Sequence, residues 1–530
     1  MTFILLSAGS NAQGQLGHSE NEDAHTFHPC LFHDQPPGSL PNGPSTRVLE
    51  IAAGANHTLA LLEKDENTKT DLSKGREIWA CGDGRRGQLG PQLQDSSRRP
   101  RTDIFRKLEF DREGLGEYHP KAIAAGWETS YVVMSSLDPT KDDICFSFGS
   151  NDFGDLGTGE AATSTIKRSG STGTNVQLVS FSHLRVDGKP LSQFGPLRIE
   201  SLVASQHHVA AILRANETRL VVGWGASRHG QVGLVEAVGP KGKVKPIAII
   251  DRPRIISVDD PHDPLVTLSV GSQHTVVLHA SGKVAGFGSN RKGQLNLGGF
   301  EKAKNIGCTW NGTFGLVVSD EGNSIYGVGS DTHGQLGRGE GVPGDQGASQ
   351  PRPADFPESI AGHRPLKLSC GTEHVLSLWT AVGKEETEVW GWGWNEHGNL
   401  GLGSTDDIHR PTKIWPREGT VGTVVDIWTG SGTSWILFRV NQVIVFVYLA
   451  NCCFLEYREL FGEFEQWREK VLGDVAARSP FQLESGANML DASSRQCVPA
   501  HLGCILCFVV SMQQIDMAFD DGLGVNAVSV

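Results

Sequence analysis

Four histidines, His57, His208, His274 and His374, stand at the same place in a recurring stretch of sequence. Imidazoles in register could ligate a metal or move protons. Each belongs to a different copy of the stretch, so the four cannot readily converge on the tetrahedral shell of one ion, and structural hydrogen bonding within each copy is the expected role. Gly82-x-Gly84-x-x-Gly87 has the spacing of a phosphate-cradling loop, which needs a following helix to aim its N-terminus at the phosphate. Pro91 to Pro100 offers no helix, and the repeat accounts for all three glycines. Cys504-x-x-Cys507 with Cys497 has thiolates suited to zinc but lacks a second pair. No Gly-x-Ser-x-Gly elbow joins a strand to a helix, and no acid and base stand apart from the repeat. The chain is expected to be non-enzymatic, without catalytic residue, cofactor or metal.

The elements that hold these residues are two alternating motifs. The first reads Gly-x-x-x-x-Gly-[Gln/Asn/Asp]-[Leu/Val]-Gly and begins at Gly9, Gly82, Gly149, Gly225, Gly288, Gly329 and Gly393, the fifth copy stopping at Leu295. The second is a small or apolar pair, usually with a glycine, two further residues, often a histidine, and then an apolar run. Its copies lie at Ala53-Gly54, Ala125-Gly126, Ala204-Ser205, Val270-Gly271, Cys308-Thr309, Cys370-Gly371 and Thr429-Gly430. Apolar runs such as Thr58-Leu59-Ala60-Leu61-Leu62, followed by a polar turn and a second run, predict buried strand pairs.

Units of four strands, too small to bury their own faces and repeated seven times, predict an all-β fold: a seven-bladed β-propeller over residues 1–438. Closure is expected to pair Phe3–Ser7 with the last blade near Trp435-Ile436-Leu437. The stretch from Gln294 to Cys308 is too short for a full blade, so the fifth blade is expected to be degenerate. The segments at about Pro91 to Pro120, Thr158 to Pro196, Leu234 to Pro264 and Arg338 to Pro365 read as surface loops. After Phe438 the register stops, and residues 439–530 form an extension with no assigned function.

Side chains at the variable centre of the first motif are the expected partner contacts: Arg85, Arg86, Arg228, His229, Trp394, Asn395, Glu396 and His397. Trp127, Trp310 and Trp392 join them, since tryptophan and arginine dominate binding hot spots where they reach a surface. Trp224 and Trp435 read as wedges between blades. The seventh copy, Trp392-x-Trp394-Asn395-Glu396-His397, carries the most surplus over the shared pattern.

A formal charge of −13 argues against nucleic acid and anionic membrane as general partners. Ten cysteines scattered over 530 residues suit a reducing compartment, and the start has no basic region or long apolar run. The expected location is the cytoplasm, with the nucleus as a second compartment.

The alternation of Gly-Ser-Asn-x-x-Gly-Gln-Leu-Gly with Ala-Gly-x-x-His-Thr resembles the regulator-of-chromosome-condensation repeat family of seven-bladed propellers. Cys81-Gly82-Asp83-Gly84-Arg85-Arg86-Gly87, Ala125-Gly126-Trp127-Glu128-Thr129, the short fifth repeat with Trp310, Trp390 to Asn399, and Thr433-Ser434-Trp435-Ile436-Leu437 resemble its fungal tubulin-suppressor and killer-toxin-insensitivity branch. That resemblance implies a non-catalytic partner of a small, acidic, metal-binding electron-carrier protein. The carrier serves diphthamide synthesis on elongation factor two and Elongator-dependent modification of tRNA wobble uridines, with the Elongator complex as a further partner. The sequence departs from that branch in its longer loops, Trp394 and the extension. The alternative is a guanine-nucleotide exchange factor for a Ran-like small GTPase.

Overall fold

The computed structural model describes residues 2–64, 75–90, 101–110, 115–159, 176–238, 243–319, 322–339, 350–417 and 422–440. Seven antiparallel sheets follow one another as blades of a propeller. We number the blades by the copy of the first motif each contains, and letter the strands A to D outward from the central channel.

Blade 1 joins both ends of the described chain. Its A and B strands are Thr423–Thr429 and Thr433–Val440, and its C and D strands are Thr2–Gly9 and Ala24–Pro29. Leu5 pairs with Leu437 and Ser7 with Trp435, the closure expected from the sequence. The last strand runs to Val440, and the extension from residue 441 on lies outside the described residues.

Blades 2, 3 and 4 span Arg47–Leu108, Tyr118–Val179 and Leu197–Val258, each with four strands. Blade 5 has only three, Leu265–Val270, His274–His279 and Val284–Gly288. In place of its fourth strand, Leu295, Leu297 and Phe300 pack against the core shared with blade 6. Blade 6 covers Ala303–Pro353 and blade 7 covers His363–Trp415. The segments read as loops hold the D strands Arg101–Leu108, Gln177–Val179, Ile249–Val258 and Arg352–Pro353 and two small hairpins, Arg185–Val186 with Lys189–Pro190 and Glu236–Val238 with Val244–Pro246. Among the described residues the helical turns are two short 3-10 segments, Leu191–Gln193 and Glu358–Ile360.

The core lies between blades. In a strand, successive side chains point to opposite faces of the sheet, and here both faces are covered. Leu59 and Leu61 pack toward blade 3, while Ala60 and Leu62 pack toward blade 1. The first strand does the same, with Ile4 and Leu6 against blade 7 and Leu5 against blade 2. This is why the B strands read as unbroken apolar runs rather than alternating ones. No blade buries its faces without its neighbours.

Candidate functional site

Both motifs end on one face, and one hydrogen bond per blade holds them there. The second motif is the turn between strands A and B, and the first begins at the end of strand C. The backbone N–H that follows the first glycine donates to a carbonyl of the A–B turn in all seven blades. The pairs are Ser10 to Gly432 (2.8 Å), Asp83 to Asn56 (2.7 Å), Ser150 to Glu128 (2.9 Å) and Ala226 to His207 (2.7 Å), then Ser289 to Gln273 (2.8 Å), Ser330 to Asn311 (2.9 Å) and Trp394 to Glu373 (2.9 Å). The glycine itself has φ near +100° in each copy, from +99° at Gly225 to +119° at Gly329. A Cβ at Gly82 would stand 2.3 Å from the Asn56 oxygen, and one at Gly393 2.6 Å from that of Glu373. Only glycine fits a backbone this close to the next turn.

The same loop is braced twice more from its own sequence. In five copies the side-chain oxygen at the second position after the glycine accepts the leucine N–H: Asn11 to Leu16, Asn151 to Leu156, Asn290 to Leu295, Asp331 to Leu336 and Asn395 to Leu400, at 2.8–3.0 Å. The motif glutamine accepts the N–H of the loop tip at Gln13, Arg86, His229, Lys292 and His333. Each blade thereby displays two tip side chains, which include Arg85-Arg86, Asp152-Phe153, Arg228-His229, Arg291-Lys292 and Glu396-His397.

The A–B turns form a second ring around the mouth of the channel. Their backbones hand hydrogen bonds from blade to blade: Ala55 to Trp127 (3.0 Å), Trp127 to Gln206 (3.1 Å), Ser272 to Trp310 (3.0 Å), Trp310 to Thr372 (2.7 Å) and Thr372 to Gly430 (3.2 Å). Trp127 and Trp310, both half-buried, belong to blades 3 and 6 and meet with ring centroids 5.9 Å apart. They stand at a mouth lined by residues from every blade, most of them small, among them Gly54, Ser205, Gly371 and Ser431.

The four histidines are buried, and their bonds cross to the next blade rather than staying within their own copy. His57 Nε2 lies 2.9 Å from Ser130 Oγ, His208 3.1 Å from Thr275, His274 3.2 Å from Thr313 and His374 3.0 Å from Ser434. Ser130, Thr275 and Thr313 give their single hydroxyl proton to the carbonyls of Gln88, Gln231 and Gln294, so the imidazoles must be the donors. Nδ1 of all four is buried without a partner. Burial holds the rings neutral, with pKa lowered to about 4 for His57, His274 and His374 and about 3 for His208. Among the described residues no group of three His, Cys, Asp or Glu is placed to hold a metal ion. Cys497, Cys504 and Cys507 lie outside the described residues.

Two expected contact residues are corrected by their burial. Trp392 is 0% exposed and drives Nε1 into the Gln335 carbonyl at 2.7 Å, as Trp224 does to Asp155 at 2.8 Å. It is an interblade wedge. Asn395 is also 0% exposed, spent on Leu400 N–H and the carbonyls of Ser404 and Asp406, so it is the loop brace of its copy. Trp435 is likewise fully buried.

The remaining expected residues share the motif face. Trp394 is half-buried and stands edge-on to His397 (5.2 Å) and His333 (6.4 Å). His397 Nδ1 contacts Asp23 at 2.6 Å, and Glu396 is exposed. Arg85 is exposed yet clamps Asp83 of its own loop at 2.8–3.0 Å. Burial would raise the Asp83 carboxyl, but the Arg85 hydrogen bonds outweigh it and hold it below its ordinary value. Arg86 faces Glu128 at 3.5 Å and Asp152 at 3.8 Å. Arg228 is exposed and His229 half-buried beside it. Sequence reasoning missed Arg291 and Lys292, which occupy the same tip positions in blade 5, and Phe153, 39% exposed and stacked on His207 at 3.9 Å. Aligning the copies position by position is the signal that finds the first two.

Comparison with known proteins agrees with this architecture. The profile of the regulator of chromosome condensation (RCC1) repeat matches residues 5–61 and 386–437, and a second profile of the same repeat matches residues 266–294. The chain is 25% identical over 452 residues to the ultraviolet-B receptor UVR8 of Arabidopsis thaliana, covering 82% of this chain and 83% of that one. It is 23% identical over 461 residues to the secretion-regulating guanine nucleotide exchange factor of Mus musculus, covering 81% and 82%. The crystal structure of human WBSCR16 superposes with a TM-score of 0.60 at 18% identity, over 82% of this chain and all of that one, a likeness of fold. The chain is a seven-bladed β-propeller in which residues 5–61, 266–294 and 386–437 match the regulator of chromosome condensation repeat.

Proposed function

We propose that the chain is a non-catalytic docking protein whose partner seats on the face formed by the two turn motifs. The observation that carries this reading is that one braced face presents both the half-buried Trp127 and Trp310 pair and exposed tip side chains, Arg228, Arg291, Lys292 and Glu396 among them. A half-buried aromatic pair ringed by charged tips has the anatomy of a hot spot with a polar rim. The backbone beneath it is fixed in every blade, so little ordering is required on binding.

The partner we propose is the small, acidic, metal-binding electron-carrier protein of diphthamide synthesis and Elongator-dependent tRNA modification, bound as a heterodimer. Its support is the resemblance of the Trp127 turn and the Trp390–Asn399 loop to that branch of the repeat family. Affinity purification of the tagged chain followed by mass spectrometry tests it, with the carrier expected in stoichiometric yield. Failure to recover the carrier from cells that express it would reject this partner.

A second reading is an exchange factor for a Ran-like GTPase, favoured by the likeness to the mouse exchange factor. Marked acceleration of nucleotide release from such a GTPase would displace the first reading.

A further inference from the structure

The cations of the motif face fall into two groups that differ in whether their charge is already spent. In blade 2, Arg85 is paired with Asp83 at 2.8 Å, and Arg86 stands within 4 Å of Glu128 and Asp152. In blades 4 and 5, Arg228, Arg291 and Lys292 are exposed, and among the described residues none of them forms an ion pair. The two loops lie against each other: Thr275 Oγ1 of blade 5 donates to the Gln231 carbonyl of the blade 4 loop at 2.7 Å, and a Cβ on Gly288 would stand 3.1 Å from Gln231 Cα. The half-buried His229 has its pKa lowered by burial and then by the charges of Arg291 and Arg228, in keeping with the contact between the two loops, and Lys292 follows Arg291 at the same loop tip. On the blade 6 and 7 side, the carboxylate whose charge reaches Lys292 is Glu373, already engaged by Gln335 at 2.7 Å and Asn311 at 3.3 Å.

We infer that Arg228, Arg291 and Lys292 form the subsite that recognises an acidic segment of a protein partner, and that Arg85 and Arg86 do not. The inference rests on the docking reading above and assigns its charge recognition. Exposed like charges held together outside ion pairs repel one another, and a carboxylate-bearing segment relieves the repulsion that the single half-buried Glu373 leaves. Arg85 would have to surrender a bidentate partner to bind another, so it brings no net charge to an interface. The arc is short, bordered by Asp152 at the tip of blade 3 and by the His333–Asp407 contact (2.8 Å) at the tip of blade 6, in a chain of formal charge −13, so a few clustered carboxylates fit it better than a long polyanion.

The test uses the full chain with two probes, a fluorescein-labelled oligoglutamate peptide and the purified electron carrier. The triple variant Arg228→Glu, Arg291→Glu, Lys292→Glu is compared with the double variant Arg85→Ala, Arg86→Ala, their folding checked by thermal denaturation. Oligoglutamate binding is expected to weaken at least about tenfold in the triple variant, to stay within about twofold in the double variant, and to fall with added salt. Equal loss in both variants, or absence of oligoglutamate binding at low salt, overturns the inference. An oligothymidylate bound as tightly as oligoglutamate also overturns it, because the arc would then be a nucleic-acid surface. If the carrier binds both variants alike, the inference fails while the docking reading stands. If the carrier binds neither variant nor the parent chain while oligoglutamate behaves as expected, the inference stands and the carrier is the wrong partner.

Discussion

His57 and Ser130, from neighbouring blades, meet at 2.9 Å in a fully buried contact that couples the second motif of one repeat to the strand of the next. Ser130 passes its own proton to the Gln88 carbonyl at 2.7 Å, so one hydroxyl satisfies a ring and a loop together.

Replacing that hydroxyl should cost more than one ordinary hydrogen bond. Ser130→Ala leaves the His57 N–H and the Gln88 carbonyl unsatisfied, an expected loss of about 2–3 kcal/mol. Urea denaturation of the variant measures it, and a loss under about 0.5 kcal/mol would show that the contact is dispensable.

The buried histidines make stability fall on acidification. Their folded pKa values, about 4 for His57, His274 and His374 and about 3 for His208, lie below the unfolded value of 6.5. Between pH 6.5 and about 4 the unfolded chain therefore binds more protons, and each ring costs about 1.4 kcal/mol per pH unit in that window. Burial raises Glu50 to about 7 and Asp155 to about 8, and these two act in the opposite direction. His18, lowered by burial to about 3, adds a fifth ring, and Glu373, raised by burial, a third carboxyl; five rings against three carboxyls leave a net loss. The melting temperature should drop between pH 7 and pH 5, and His274→Gln should flatten the drop. A melting temperature that holds or rises over that interval would contradict it.

Two glycines with similar backbone angles should respond differently to alanine. Gly43 has φ +100° with nothing within 4 Å of a built Cβ, whereas Gly82 has φ +103° with the Asn56 oxygen 2.3 Å away. Gly43→Ala reports the backbone strain alone, about 1–3 kcal/mol. Gly82→Ala should add at least about 2 kcal/mol for displacing the A–B turn. Equal denaturation midpoints in the two variants would remove the close-approach argument.

Surface and core tryptophans should separate binding from stability. Trp127→Ala and Trp310→Ala are expected to weaken the partner by about 2 kcal/mol or more while lowering stability only modestly. Trp392→Ala, inside the core, should lose about 3–5 kcal/mol of stability. Calorimetric titration beside thermal denaturation distinguishes them; unchanged partner affinity in both channel-mouth variants would move the docking face elsewhere.

The ring of blades, its closure through Leu5 and Leu437, and the short fifth blade were legible because glycine and leucine recur at fixed offsets. Periodicity reports what every copy needs. It is blind to what one copy adds, and two misreadings arose there. Asn395 looked like part of a surplus until aligned with Asn11, Asn151 and Asn290, whose oxygens brace the same turn. Trp392 looked like a contact residue although it stands where Trp224 does, before the first glycine. The partners of the four histidines were out of reach for a different reason: His57 and Ser130 lie in different repeats, and local spacing carries no information about such a pair. Arg85 illustrates a third limit. Its charge is visible in the sequence, but its neutralisation by Asp83 two residues earlier depends on the loop geometry.

The closing blade also sets a timetable. Leu5 and Leu437 are roughly 430 residues apart in a chain made from its N-terminus, a separation that makes their pairing a slow, late event. Until Thr433–Val440 emerges, the strand Thr2–Gly9 lacks the partner it pairs along its whole length, and an unpaired strand edge is a template for the wrong neighbour. During synthesis the growing protein must therefore be kept from other copies of itself, and a ribosome that stalls shortly before residue 433 releases a chain with an open sheet edge.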